Sequence, residues 1–176
     1  MKAVLMTAPA VDGSTTSVAD VDEPRPGPGQ VAIDVAYAGV NFIDVMARRG
    51  DPGYASAWPY VPGLEVAGTI RSVGAGVHDL HPGARVAAFT PGGGLAEVSV
   101  AAADVTVEVP PDVPLGTAAA APLAASTALL LLTRPGPHPP WRVGAHALGQ
   151  RRNRRCGQPG RRCARQRPPD RHGRAA

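Results

Sequence analysis

The sequence predicts a mainly β fold: a compact β domain over residues 1–112, one connecting helix over 113–133, and a tail over 134–176 without packed structure. Three observations support this class. The 21 Gly and 20 Pro exceed a fifth of the 176 residues, which disfavours helical bundles and indicates many turns. Aromatic residues make up only 4%. Short runs of partly alternating apolar and polar residues lie between the turns, as strands require.

The strand candidates are predicted from the N-terminus onward. The first covers residues 1–7. Pro9 and Asp12 follow it, so the apolar stretch ends before it is long enough for a signal peptide. The other four cover residues 31–39, 68–74, 85–89 and 95–100. Glycine and proline turns separate them, including the run Gly92-Gly93-Gly94.

One short helix is predicted at residues 41–49. Asn41 stands at its start as a capping residue, and Phe42, Val45 and Met46 share one face at the spacing i, i+3, i+4.

The connecting helix is predicted at residues 115–132, with Thr117 near its start as a cap. Its most apolar part, residues 118–132, is shorter than the roughly 20 residues that cross a bilayer, so no membrane helix is expected. Residues 129–132 are four consecutive leucines. A segment that is apolar on all sides must be covered, and we expect a covering surface outside the small β domain. Self-association or aggregation is expected if that surface is missing.

Charge divides the chain near Thr133. Residues 1–133 hold six basic and 13 acidic residues, a net charge of −7, whereas residues 134–176 hold 12 Arg and one acid. Both cysteines, Cys156 and Cys163, lie in that basic segment. Residues 1–133 therefore form neither a disulfide nor a thiolate metal site, and a cytoplasmic location is the default expectation.

Several motifs occur together in a specific order. They are Gly39-Val40-Asn41-Phe42-Ile43-Asp44, Arg49-Gly50-x-x-Gly53-Tyr54, Pro59-x-x-Pro62-Gly63-Leu64-Glu65-x-x-Gly68, Val73-Gly74-x-Gly76-Val77 and Gly83-x-Arg85-Val86. In this order they resemble the medium-chain dehydrogenase/reductase superfamily, and within it the zinc-free, zeta-crystallin-like quinone oxidoreductase branch. The resemblance covers residues 1–133 and implies a GroES-like, barrel-type β domain followed by the first connecting helix. One motif alone would be weak, and their order makes the match specific.

The resemblance also implies the chemistry. Relatives that bind catalytic zinc place a cysteine and a histidine where this chain has Asn41 and Leu64, so no zinc is expected. In the zinc-free branch NADPH gives a hydride to a quinone or an activated enone. Such a small molecule is therefore the implied substrate of the intact family.

The resemblance implies three candidate site residues. Asn41 is implied as the amide beside the substrate, Asp44 as a neighbouring polar contact, and Thr127 as a residue near the cofactor. Each has a structural alternative: Asn41 and Asp44 suit the first turn of a helix, and Thr127 can bond back to its own turn. Glu65 is expected to be a buried structural carboxylate. Met46 stands where many relatives have tyrosine, which weakens the case for aromatic stacking on the substrate.

The family's dinucleotide-binding Rossmann unit is missing from residues 134–176. If residues 140–154 are back-translated with GC-rich codons and the codons are read one base later, the genetic code permits the string P-G-E-S-V-L-T-H-S-A-S-G-G-I-G. This string resembles the strand and glycine loop that the family has at this point. We therefore expect an out-of-frame, disordered tail. The chain as given is expected to bind no NADPH and to be inactive.

Two alternatives concern the tail alone. Its 12 Arg suit a non-enzymatic protein that binds nucleic acid non-specifically. Cys156, Cys163 and His172 offer zinc ligands, although the C-x6-C spacing is not a compact zinc pattern and no fourth ligand is evident. We favour an accidental origin over either function.

Overall fold

The computed structural model describes residues 1–55 and 57–133, and the mainly β class is confirmed there. The described residues contain strands β1 (Lys2–Met6), β2 (Thr16–Asp20), β3 (Gln30–Gly39), β4 (Glu65–Val73), β5 (Arg85–Phe89), β6 (Val98–Ala102) and β7 (Thr106–Glu108). Its helices are α1 (Phe42–Arg49), α2 (Leu115–Ala119) and α3 (Ser126–Thr133). A 3-10 turn covers Ala103–Val105, and a π-helical turn covers Ala121–Ala125.

The strands form one curled five-stranded sheet and one hairpin. The sheet order is β6-β3-β4-β5-β7, and β1 pairs with β2. Every strand pair in the described residues is antiparallel. The hairpin joins the rest through the bridges Ala3↔Ala96 and Met6↔Tyr60. Register shifts after Ala32 and Val35 bend β3, the strand that leads into α1.

Two apolar clusters lie on opposite faces of β4 and β5, because side chains alternate along a strand. The larger cluster contains Val66 and Val86 and fills the inside of the curled sheet. The smaller cluster contains Ala67 and Ala87, the next residue of each strand, and packs against Ala118 and Ala119 of α2. Alanines on both sides allow the helix to approach the sheet closely.

The helix predicted at residues 41–49 is present, and its buried residues are not those of the apolar face. α1 covers Phe42–Arg49 with Asn41 as N-cap, and its buried residues are Asp44 and Ala47. The Phe42 side chain is 70% exposed. The buried face contains an acid because Asp44 meets hydrogen-bond donors inside the domain, as described below.

The connecting helix is interrupted, which corrects the prediction of one regular helix. α2 ends at Ala119, the π-helical turn follows, and α3 begins at Ser126. Pro114, not Thr117, is the N-cap of α2. α2 packs on the sheet of the same domain, whereas Leu129–Leu132 are exposed within the described residues. None of the helices in residues 1–133 has the length and apolarity that crossing a membrane requires.

The close packing of α2 gives a direct test of the fold. Ala119→Leu is expected to destabilise the protein by about 1–3 kcal/mol, because extra methylenes must enter the contact with Ala67 and Ala87. Ala120 is exposed, so Ala120→Leu should change the free energy of unfolding by less than about 0.5 kcal/mol. Urea unfolding followed by circular dichroism measures both. Equal losses would show that α2 does not rest on the sheet.

Candidate functional site

Asn41 lies where β3 ends and α1 begins, with extended backbone (φ −122°, ψ 161°). Its N–H donates to Asp44 Oδ2 at 2.8 Å, and its carbonyl accepts from the Asp44 N–H at 3.0 Å. These bonds close the first turn of the helix. Asn41 is therefore an N-cap residue whose backbone is held by the other predicted site residue.

Asp44 is 5% exposed, and both of its oxygens accept backbone N–H groups. Oδ2 accepts from Asn41, and Oδ1 accepts from Gly63 at 2.9 Å. Asp44 thereby joins α1 to the loop at residues 62–64 that precedes β4. An acid satisfied in this way has a positional role, consistent with the structural alternative for this residue.

Glu65, the first residue of β4, is 3% exposed. Its Oε1 accepts from Asn41 Nδ2 at 2.8 Å, and its Oε2 accepts from the Leu123 N–H at 2.9 Å. The expected buried structural carboxylate is observed, with one backbone partner and one side-chain partner. Glu65 joins the start of α1 to the π-helical turn.

Gly39 has no side chain, and the Glu65 carboxyl group occupies the space that a side chain would fill. A Cβ on Gly39 would overlap the carboxyl group of Glu65, because Glu65 pairs directly with Gly39 across β3 and β4. The glycine two residues before Asn41 is thus a packing requirement of the acid that holds Asn41.

Thr127 lies outside this bonded cluster. It is exposed on α3, four residues after Leu123. Within residues 1–133 its hydroxyl makes no hydrogen bond, and the side chain that bonds back to its own helix is Thr133, to the Leu129 carbonyl at 2.7 Å. The structure therefore brings Asn41, Asp44 and Glu65 together, whereas Thr127 is exposed on α3, apart from them.

Sequence reasoning missed Thr90 and Tyr60. Thr90 is fully buried and donates to the Gly63 carbonyl at 2.9 Å, so both backbone groups of Gly63 are held by side chains. Burial raises the pKa of Tyr60 above its usual value of 10.0, and the charge of Asp44 raises it further. A pKa raised by folding favours the folded state at pH below 10, and this contribution is lost as the pH rises through the folded-state pKa.

Arg85, in the motif Gly83-x-Arg85-Val86, holds the start of the connecting segment. Its guanidinium donates to the carbonyls of Pro110 and Val113 at 2.8 and 2.6 Å. Its own carbonyl accepts from the Val109 N–H at 2.8 Å. The motif arginine therefore fixes the path of the chain from β7 to α2.

The residues directly before and after Asn41 in sequence are apolar and exposed. Val40 is 72% exposed and Phe42 is 70% exposed. A half-buried amide with exposed apolar residues directly before and after it in sequence is compatible with an apolar ligand that carries a carbonyl oxygen.

The predicted absence of zinc rests on residue identity. Asn41 and Leu64 stand where zinc-binding relatives have a cysteine and a histidine, and neither supplies a thiolate or imidazole. Across the described residues no three His, Cys, Asp or Glu side chains are grouped as a metal site would need. The zinc-free chemistry stays a prediction.

Comparison with known proteins identifies the domain. Residues 27–111 match the alcohol dehydrogenase GroES-like domain. A probable quinone oxidoreductase of Schizosaccharomyces pombe is 37% identical over 120 residues, covering 68% of this chain and 36% of the relative. A chloroplastic quinone oxidoreductase of Triphysaria versicolor is 33% identical over 144 residues, covering 76% and 44%.

A solved structure agrees with these matches. A mycobacterial protein complexed with NADPH aligns with a TM-score of 0.72 at 34% identity, over 78% of this chain and 42% of that one. The chain thus spans less than half the length of these relatives. The GroES-like fold and the quinone oxidoreductase resemblance are confirmed, and through this N-terminal domain the chain belongs to the quinone oxidoreductase branch of the medium-chain dehydrogenase/reductase superfamily.

Proposed function

We propose that residues 1–133 form the acceptor side of an NADPH-dependent reductase of quinones or activated enones, with Asn41 contacting the acceptor carbonyl. The observation that carries this proposal is the Asn41 amide, held by Glu65, in a segment whose neighbouring residues Val40 and Phe42 are exposed and apolar. The apolar side chains suit the ring of a quinone. The amide suits its oxygen.

The Asn41 amide has one N–H that donates to Glu65 and a second available to a ligand. Hydride transfer to a quinone places negative charge on a carbonyl oxygen, and a proton then completes the hydroquinone. A donor held in place before the reaction stabilises that charge without reorganisation. Asn41 would act in this way on the substrate.

Asp44 and Thr127 have different proposed roles. Because both Asp44 oxygens accept backbone donors, we assign Asp44 to positioning Asn41 and the loop at Gly63. Thr127 is exposed on α3, which supports the proposal that it contacts the cofactor.

NADPH supplies the hydride in the proposed reaction, and a related mycobacterial protein was solved in complex with it. Residues 1–133 do not fit a dinucleotide site of the family type, since their strand pairs are antiparallel and offer no βαβ unit. We therefore propose that residues 1–133 by themselves bind no NADPH and transfer no hydride. The out-of-frame tail, its arginine-rich alternative and its zinc alternative lie outside the described residues.

Self-association and a cytoplasmic location stay predictions. The exposed Leu129–Leu132 support the first. The second rests on the absence of cysteine from residues 1–133, and one relative is chloroplastic.

Titration with a quinone tests the acceptor site in the chain as it exists. Tetramethyl-1,4-benzoquinone is suitable because its substituted ring resists addition of thiols. We expect its binding to shift the nuclear magnetic resonance signals of the Asn41 side chain and of Phe42. Asn41→Ala should weaken binding about 5- to 10-fold, as loss of one hydrogen bond does.

Val107, exposed on β7, provides the control: Val107→Ala should leave quinone affinity unchanged. In a chimera that joins this domain to the dinucleotide-binding domain of a relative, Asn41→Ala should lower kcat for the quinone about 10- to 100-fold and change the KM for NADPH little. Unchanged kcat would leave Asn41 as a helix cap only. Saturable binding of NADPH to the chain alone would overturn the cofactor part of the proposal.

A further inference from the structure

Glu65 makes two contacts with parts of the chain that are distant in sequence. One oxygen accepts from the Asn41 side chain, 24 residues earlier, and the other accepts from the Leu123 N–H, 58 residues later. The carboxyl group is buried, and Gly39 leaves its space. A single side chain therefore bonds to both the candidate substrate residue and the connecting segment.

The Leu123 N–H needs an acceptor from outside its own helix. Leu123 lies in the first turn of the π-helical segment Ala121–Ala125, where backbone N–H groups lack partners within the helix. The preceding residue is Pro122, which has no N–H. Glu65 supplies the acceptor, and it thus caps the first turn of the π-helical segment.

The same carboxyl group decides which way the Asn41 amide points. Both Glu65 oxygens act as acceptors, so the NH2 group of Asn41 must face Glu65 and the amide oxygen must face away. The group that Asn41 offers to a ligand is therefore set by Glu65.

We propose that Glu65 is a positioning residue that orients the Asn41 amide and couples it to the connecting segment at Leu123. The part concerning substrate rests on the proposed function, whereas the coupling does not. A shift of the segment at Leu123 would move the Glu65 carboxyl group and so reorient Asn41. The acceptor site and the segment that leads out of the domain would then change together.

Glu65→Gln tests the coupling because it replaces one of the two acceptor oxygens with an NH2 donor. The new amide has one oxygen and one NH2 group, so it cannot accept from both partners as the carboxylate does. Either exchange of the Leu123 amide hydrogen becomes faster by about 10- to 100-fold, or the Asn41 side-chain amide signals shift as its NH2 is released. Both are measured by nuclear magnetic resonance on the full chain, without quinone or cofactor.

The exchanged pair Asn41→Asp with Glu65→Gln provides a rescue. The new amide then donates to the carboxylate at position 41, and its oxygen accepts from the Leu123 N–H. Slow exchange at Leu123 should return in this double variant. The double variant keeps the contacts of position 65 with position 41 and with the Leu123 N–H. It therefore still tests the proposal if Glu65→Gln alone does not fold.

Asp34→Asn is the control, since the Asp34 carboxylate bonds Arg71 at the exposed surface and bonds neither Asn41 nor Leu123 within the described residues. It should leave Leu123 exchange unchanged. Glu65→Gln with neither signal altered, or an exchanged pair without restored Leu123 protection, would overturn the proposal. These outcomes do not depend on turnover, so failure of the quinone titration alone would leave the coupling in place.

Discussion

Gly63→Ala is expected to destabilise the protein by about 2–5 kcal/mol. Gly63 has φ 101°, a conformation that costs an ordinary residue about 1–2 kcal/mol. A Cβ there would lie 2.5 Å from Leu95 N and 2.8 Å from Gly94 Cα. Both atoms are backbone, so relief requires moving the chain, and overpacking of this kind adds about 1–3 kcal/mol.

Thermal or urea unfolding measures this loss, and Gly53 is the matched control. Gly53 also has positive φ (89°), but a Cβ there would meet nothing within 4 Å. Gly53→Ala should therefore cost only the conformational part, about 1–2 kcal/mol. Equal losses at the two positions would show that the loop at Gly63 has room to adjust.

The sequence predicted the strands whose apolar pattern and turns were both clear. β1, β3, β4, β5 and β6 were expected near their observed positions. β2 and β7 were missed. Both are edge strands with mostly exposed residues, so alternation of buried and exposed side chains leaves little trace in their sequence.

The start and end of α1 were predictable because its signals are local: Asn41 at the cap and Gly50 at the end, with φ 77°. Its buried face was not predictable from hydrophobic spacing. Asp44 points inward because Gly63, 19 residues away, needs an acceptor. A pattern within eight residues cannot reveal that partner.

The same limit applies to the candidate site. Asn41 and Asp44 were identified through motifs, but the two bonds of Glu65 span 24 and 58 residues. The π-helical turn at Ala121–Ala125 also depends on such a bond, since Leu123 finds its acceptor in β4. Composition and periodicity describe single elements, whereas these contacts arise only once the elements pack.

Asp44→Asn is expected to cost about 2–4 kcal/mol without leaving a cavity, because the two side chains have nearly the same volume. The new NH2 group must face the N–H of either Gly63 or Asn41, which leaves one donor unsatisfied. Asp34 provides the control: its bond to Arg71 is at the exposed surface, so Asp34→Asn should cost less than about 1 kcal/mol. Urea unfolding compares the two variants.

The Tyr60 phenol gives an independent measure of the same change. The Tyr60 pKa is raised first by burial and second by the negative charge of Asp44. Removing that charge should lower the Tyr60 pKa toward 10.0, and the burial that remains should keep it above that value. Ultraviolet titration of the phenolate follows the shift, with Asp34→Asn again as control. A Tyr60 pKa that stays unchanged in Asp44→Asn would mean that Asp44 and Tyr60 do not interact, and the placement of α1 against the Tyr60 to Gly63 loop would have to be revised.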